Sequence, residues 1–300
     1  MKTSIIICTK DRKDDLFKAI RSIEAQTRIP DELIIVDASI SQDFRSELLE
    51  TFNRINIKYL HASPGLTKQR KLGIRASSGD IIVFFDDDVI LHTEYLFYIE
   101  KVFAEDLENK IGGAMGKIIN INKNSLRFKL NQLYSKIFFL TSEGNGKLKS
   151  SGLPTHPFTL HSKNPIEVEV LSGAQMAYRR EIFKYEMFDE KLSTYSYLED
   201  VDFSYRIFKR GYKLIYQPKA LIEHMVSLVS RLPKKEKKKM LIINHFYLFK
   251  KNCHPTFIKW VFFVWAQIGL FILACSSMKS ENILGILGGW KEIIIKKIKK

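Results

Sequence analysis

Three hundred residues, 45% apolar and 12% aromatic, suffice for a substantial core and exclude a disordered chain. The formal charge of +15 is unevenly spread: residues 231–300 hold 15 Lys and Arg against three acids, whereas residues 1–230 hold 33 against 30. Three widely spaced cysteines, Cys8, Cys253 and Cys275, exclude a disulfide framework and a paired-cysteine metal site, and fit a reducing compartment.

The first apolar run, residues 5–8, is too short for a secretory signal and meets Lys10, Asp11 and Arg12 at once, so the catalytic part is expected in the cytoplasm. Residues 4–8 read as a buried strand. Residues 14–26 follow as a helix, with Leu16, Phe17, Ile20 and Ile23 at helical spacing. A second strand (33–36), a second helix (41–52), a third strand (57–60), a third helix (67–76) and a fourth strand (81–85) continue the alternation. Short β-branched and aromatic runs without period-2 patterning suit strands covered on both faces, the mark of a parallel sheet between helices. Ligands of such sheets bind beyond the C-terminal ends of the strands. There stand Thr9 and Asp11, then Asp37, then Asp86 and Asp88.

Residues 120–165 lose this rhythm. With Gly144, Gly146, Gly152, Pro154 and Pro157 they read as an irregular insertion or lid that shapes an acceptor pocket. Order returns with a strand at 167–171, a helix at 199–210 and short strands at 213–216 and 220–222. Past residue 230 come a basic block (234–239), a helix (240–249) and an uncharged apolar run (260–275). The last segment, 283–300, places Ile283, Leu287, Trp290, Ile294 and Ile298 on one face, with Lys291, Lys296, Lys299 and Lys300 elsewhere. It reads as an amphipathic helix in a membrane interface. Peripheral or monotopic attachment to an anionic membrane surface is expected, with a single span at 260–278, a re-entrant hairpin or a buried core helix at 260–275 as competitors. The basic block lacks interleaved aromatics, so no nucleic-acid partner is expected.

The chemistry centres on Asp86-Asp87-Asp88. Adjacent carboxylates repel, and a divalent cation shared with a diphosphate offsets that repulsion; Mg²⁺ and Mn²⁺ favour such oxygen ligands. In extended backbone Asp86 and Asp88 point the same way. Glu199 and Asp200 open a helix, where a carboxylate serves either as a general base or as an ordinary cap. Arg70 and Lys68 lie near another helix start, suited to phosphate. His224 follows a strand-like run and is a candidate metal ligand or phosphate donor.

Seven segments in this order, SIIICTKDR (4–12), IIVDAS (34–39), residues 65–73, GDIIVFFDDD (79–88), SGAQMAYRREIF (172–183), LEDVDFSYRIFKRG (198–211) and YQPKALIEH (216–224), resemble family 2 glycosyltransferases of the GT-A fold. The resemblance covers about residues 1–224. It implies an α/β, Rossmann-like nucleotide-diphospho-sugar transferase domain over residues 1–230, with a helical membrane-associating extension at 231–300. It further implies inverting transfer from a nucleotide-diphosphate sugar to a glycan or lipid-linked acceptor, with Mn²⁺ or Mg²⁺. Thr9 and Asp37 would contact the nucleoside, Arg70 the base or diphosphate, and Asp86 the donor ribose or metal. Asp88 and His224 would bind the metal, and Asp200 would be the base. Ala38 and Lys71 depart from the residues many relatives carry after the Asp and the Arg, which leaves the base of the nucleotide open. The competing readings are a non-catalytic nucleotide- or glycan-binding protein on the same scaffold and a sugar nucleotidyltransferase. The latter is disfavoured because residues 7–12 lack a glycine-rich loop.

Overall fold

Nearly continuous Ile and Val in the strands predicted at 4–8, 33–36 and 81–85 leave no polar side to face water, and these three are buried on both faces, whereas the strand at 57–60, which carries Lys58, is only half-buried at the sheet edge. The structure, a computed structural model, describes residues 1–300 except 41–43, 122–123, 158–161, 193–196, 228, 230–231 and 299–300. Contacts divide the chain into two compact units, Met1–Ile121 with Pro157–Ser230, and Asn122–His156 with Arg231–Lys300. Residues 122–156 of the mid-chain insertion thus fold with the C-terminal helices and not with the residues that flank them.

The first unit opens with β1 (Thr3–Thr9), α1 (Lys13–Glu24), β2 (Glu32–Asp37), α2 (Arg45–Thr51), β3 (Ile57–His61), α3 (Leu66–Ala76) and β4 (Ile81–Asp86). These match the predicted elements to within a few residues, except that 41–43 of the predicted second helix lie outside the described residues. Then come β5 (Val89–Leu91), α4 (Tyr95–Ala104) and β6 (Ile111–Ile118), which the sequence reading did not delimit. β1, β2, β3 and β4 are parallel, with Cys8 opposite Asp86 and Thr9 opposite Asp37, so their polar ends share one edge. Alternate residues go to opposite faces. Ile5, Ile7, Leu33, Ile35 and Val83 pack with Leu16, Ile20 and Ile23 of α1 and Ile99 of α4. Ile6, Ile34, Ile82 and Phe84 pack on the other face with Ile74 of α3. Each such side chain contributes roughly 1.5–3 kcal/mol of burial. Gly73 lets α3 approach closely, since a Cβ there would stand 2.6 Å from Ile6 Cγ2.

In the described residues of the insertion, α5 (Leu126–Ile137), β7 (Ser142–Glu143) and β8 (Thr155–His156) belong to the second unit. The first unit resumes with β9 (Ile166–Val168), β10 (Gln175–Arg179), a 3₁₀ turn, α6 (Glu199–Lys209) and β11 (Lys213–His224). Phe203 and Ile207 of α6 join the face that holds Ile74. Among the described residues the main sheet runs β3-β2-β1-β4-β10-β6-β11-β5, with β9 beside β11. β10 is antiparallel to β4 and β6, so the sheet is mixed beyond the parallel half. The two short strands predicted at 213–222 are one strand; its register shifts between Tyr216 and Leu221, around Pro218, which cannot donate to the ladder.

The second unit adds α7 (Lys234–Asn252), α8 (Phe257–Ser276) and α9 (Ser280–Ile298). Phe249 and Phe263 stack at 4.6 Å between centroids, with Cys253 beside them. A buried chain of hydrogen bonds joins four segments. His245 Nε2 donates to the Ser151 carbonyl (2.7 Å), Gln267 Nε2 donates to His245 Nδ1 (2.9 Å), and Trp290 Nε1 donates to Gln267 Oε1 (2.8 Å). Trp290 therefore points into the unit, as does Ile286, buried against its own unit, which narrows the face predicted for α9. Lys299 and Lys300 of that prediction lie outside the described residues, as do the side chains of Lys296 and Ile298.

Candidate functional site

Asp86 ends β4, and the backbone turns at Asp87 and Asp88 before β5 begins at Val89. Asp86 and Asp88 are therefore brought together by a tight turn, not by the extended backbone the sequence suggested. β11 pairs with β5 so that His224 stands opposite Val89, next to Asp88. His224 Nε2 lies 3.1 Å from Asp88 Oδ1 and 4.0 Å from Asp86 Oδ2. One ligand atom from each of the three lies within 4.8 Å of the others. An octahedral ion about 2.1 Å from its donors separates neighbouring donors by about 3 Å and opposite ones by about 4.2 Å. Two carboxylates and an imidazole at these separations fit Mn²⁺ or Mg²⁺ with a small adjustment, and leave other coordination positions open.

Burial opposes ionisation of Asp88, but the His224 ring, the Ser227 amide and Arg12 outweigh it and hold the carboxyl below its ordinary value. Asp86 goes the other way: its recessed position raises it, Asp88 and Asp200 add to that, and Arg70 and His224 oppose.

Arg70, in the second turn of α3, is only 2% exposed. Its guanidinium donates to Glu199 (2.7 Å) and to the Gly173 carbonyl (3.3 Å), and stands 4.0 Å from Asp86. It also lies over the Phe188 ring, 5.1 Å from the centroid. Burial and the neighbouring Asp200 push the Glu199 carboxyl up, and Arg70 opposes. Asp200, in the first turn of α6, accepts from the Gly173 amide (2.6 Å) and the Val201 amide (2.8 Å). A carboxylate offers about four acceptor positions, so room remains for a hydroxyl. Gly173 is constrained because a Cβ there would stand 3.1 Å from Asp200 Oδ2. Leu198, before α6, holds φ +71°, a left-handed conformation that is strained for a branched residue and sets the angle of the Glu199-Asp200 turn.

Thr9 and Asp37 reach the same sheet edge but are engaged by protein groups. The Thr9 hydroxyl donates to Asp87 (2.8 Å), and Asp37 accepts from the Ser39 amide and hydroxyl and from the Tyr59 hydroxyl. Both are nearly fully buried. Lys68, expected near phosphate beside Arg70, is exposed on α3. Sequence reasoning assigned no separate role to Asp87, to Arg12 or to the segment after His224. Arg12 donates to Asp87 (2.9 Å) and to the Val229 carbonyl (2.9 Å), and burial pushes the Asp87 carboxyl up to about 6. The Ser227 amide donates to Asp88 (2.8 Å), and Val226 holds φ +53°, a strained conformation for a β-branched residue. The signal present in the sequence was the uncompensated third Asp, which required a basic partner.

The family model described as Glycosyl transferase family 2 matches residues 4–186. An uncharacterized glycosyltransferase of Bacillus subtilis (strain 168), YwdF, is 28% identical over 144 residues, which are 48% of this chain and 52% of that protein. The chain thus spans about half the length of this curated relative. GalNAc-T7, crystallised with UDP, GalNAc and Mn²⁺, superposes with a TM-score of 0.60 at 16% identity, over 83% of this chain and 50% of that one. The mannosyltransferase PcManGT from Pyrobaculum calidifontis, in complex with GDP-Man and Mn²⁺, gives 0.56 at 15% identity, over 97% and 80%. At these identities the likeness establishes the GT-A fold.

Proposed function

The chain belongs to glycosyl transferase family 2, and from that membership we propose that it transfers a sugar from a nucleotide-diphosphate donor to a hydroxyl of a glycan or lipid-linked acceptor, with inversion. The observation that carries the reading is the convergence of Asp86, Asp88, His224, Arg70 and Asp200 at the C-terminal edge of the parallel strands. Asp88, Asp86 and His224 would hold Mn²⁺ or Mg²⁺. The ion would neutralise charge on the leaving diphosphate.

In this reading the acceptor hydroxyl attacks the anomeric carbon from the face opposite the diphosphate. The bond from that carbon to the diphosphate oxygen breaks, and the nucleoside diphosphate leaves with the electron pair. Asp200 takes the hydroxyl proton. Gly173 and Val201 fix its carboxylate through their amides, so it is oriented before the acceptor arrives. Arg70, held by Glu199, supplies fixed positive charge beside Asp86 for the donor. Thr9 and Asp37 would line the nucleoside end, acting through the Asp87 and Ser39–Tyr59 contacts that order them.

We further place the second unit at an anionic membrane surface, on the cytoplasmic side. α8 is 20 residues long and apolar enough to cross a membrane by length and composition. The unit holds 21 Lys and Arg against four Asp and Glu, and juxtamembrane basic residues each add about 1 kcal/mol of attraction to anionic lipid.

The test is thermal stabilisation by a panel of UDP-, dTDP- and GDP-sugars, with and without Mn²⁺. Stabilisation by one nucleotide class, dependent on metal and lost in Asp88→Ala, is the expected result. A folded, metal-loaded protein that responds to no donor would sink the reading in favour of a non-catalytic scaffold.

A further inference from the structure

α5 buries none of its residues fully, and its apolar side chains are not scattered. Leu126, Leu130, Leu133 and Ile137 recur at i, i+4, i+7 and i+11 and are 71%, 57%, 58% and 52% exposed. That spacing makes one stripe along the helix. Lys129 and Lys136, also exposed, run along its border. α8 carries a second stripe, Phe257, Val261, Val264, Ile268 and Ile272, again 41–82% exposed.

The two helices are neighbours within the second unit. Tyr134 donates to the Gly269 carbonyl (2.7 Å), Phe138 stacks on Trp265 at 4.9 Å, and Phe139 meets Phe262 at 4.5 Å. Rising numbers on α5 meet falling numbers on α8, so the helices are antiparallel. Tyr134 stands eight residues after Leu126, and Trp265 eight residues after Phe257. At about 100° per residue, each contact residue lies about 80° round its helix from its own stripe, in the same sense. For antiparallel helices side by side, that geometry turns both stripes the same way. A shallow apolar groove of about 580 Å³, lined by Phe257, Val261, Val264 and Trp265 of α8, reaches Phe139 just past the end of α5.

We propose that α5, the helix of the mid-chain insertion, is a membrane-contact element that lies with α8 in the plane of an anionic lipid surface, both stripes seated among the acyl chains. The inference rests on the membrane reading above and deepens it: it names a third, non-C-terminal segment and fixes the attitude of α8. Charge selects the occupant. Lys129 and Lys136 border the stripe and complement lipid phosphates, whereas a second copy would bring the same cations face to face. Packing selects the attitude. If α8 stood across the bilayer, α5 beside its C-terminal half would carry Lys129 and Lys136 into the hydrocarbon, which is costly. In the plane, the lysines reach the headgroups.

The full chain is tested with Cys275→Ser as background and an environment-sensitive fluorophore at Leu130→Cys or Val264→Cys. Phosphatidylcholine vesicles with and without phosphatidylglycerol supply the lipid, some brominated near the headgroup and some near the chain end. Both labels are expected to shift to the blue on anionic vesicles and to be quenched alike by the shallow bromines. Leu130→Glu with Leu133→Glu should lower the partition coefficient by about a hundredfold, a factor of ten per exposed leucine. Lys129→Glu with Lys136→Glu should lower it on anionic vesicles alone. Leu107→Glu, at a 91% exposed site in the first unit, should change nothing. Vesicle binding with an aqueous Leu130 label and a deeply quenched Val264 label would overturn the inference and leave membrane attachment standing. A blue shift of Leu130 that follows protein concentration without lipid would overturn it in favour of a second copy. Failure to bind vesicles at all would overturn both readings.

Discussion

The two units of this chain spend polar and apolar residues in opposite ways. The first unit holds 27 Lys and Arg against 29 Asp and Glu, a balance of −2, and the second 21 against four, a balance of +17. In the first, Ile and Val fill a sheet closed on both faces, and charged groups are drawn inward: Arg70, Glu199, Asp87 and Asp88 are all nearly buried. In the second, apolar stripes face outward beside lysines. A catalytic site needs charges fixed in a weakly screened setting, where each is strong and costly. A surface that meets lipid needs the reverse. The net +15 of the whole chain describes neither unit.

The comparison breaks most sharply at Asp200. If the first unit carries the chemistry, Asp200→Asn should lower transfer by roughly 10²–10⁴-fold. Vesicle binding by the second unit should be unchanged. Steady-state rates and flotation on the same preparation check this, and an equal loss in both would deny that the units divide the labour. Next comes the buried ion pair. Glu199→Gln leaves the Arg70 guanidinium without its charge partner, at an expected cost of about 3–5 kcal/mol in urea unfolding. A loss under 1 kcal/mol would mean that Asp86 and Gly173 suffice to hold the arginine.

The second unit has its own pH dependence. Burial lowers the His245 pKa from 6.5 to about 4, although the Ser151 carbonyl opposes the shift. Between those values the unfolded chain binds a proton that the folded chain refuses, so stability rises with pH across the window. The contribution is complete above pH 6.5 and is lost as pH falls toward 4. The loss amounts to roughly 3 kcal/mol. Unfolding followed by tryptophan fluorescence should show it in the wild type and lose most of that slope in His245→Phe, a variant expected to remain folded at pH 8. Smallest is Trp290→Phe, which removes the donor to Gln267 and should cost about 1 kcal/mol. No change there would return the Trp290 ring to the membrane-facing role predicted for it.

How much was legible varies with the range of the interaction. The strands from β1 to β4 were readable because each buried run announces itself in consecutive residues. Asp86 and Asp88 stood out because three adjacent carboxylates are improbable without a counter-charge. Arg12 and Ser227 did not, since their tie to Asp87 and Asp88 spans 75 and 139 residues. α5 was missed for another reason. It precedes the glycines and prolines of 144–157, which mark the whole insertion as irregular, and its apolar stripe was not sought inside a presumed loop.

Sequence by itself determined the α/β class, the edge of the sheet where polar residues gather and the charge of the C-terminal segment, because these follow from local pattern. Tertiary structure decided which carboxylates meet an imidazole, which one holds Arg70, and that the insertion belongs with the C-terminal helices. Those choices depend on strand pairing such as His224 opposite Val89 and on helix packing such as Tyr134 on Gly269. Contacts between residues far apart in the chain are set by how buried faces fit together, and no single stretch of sequence encodes that fit.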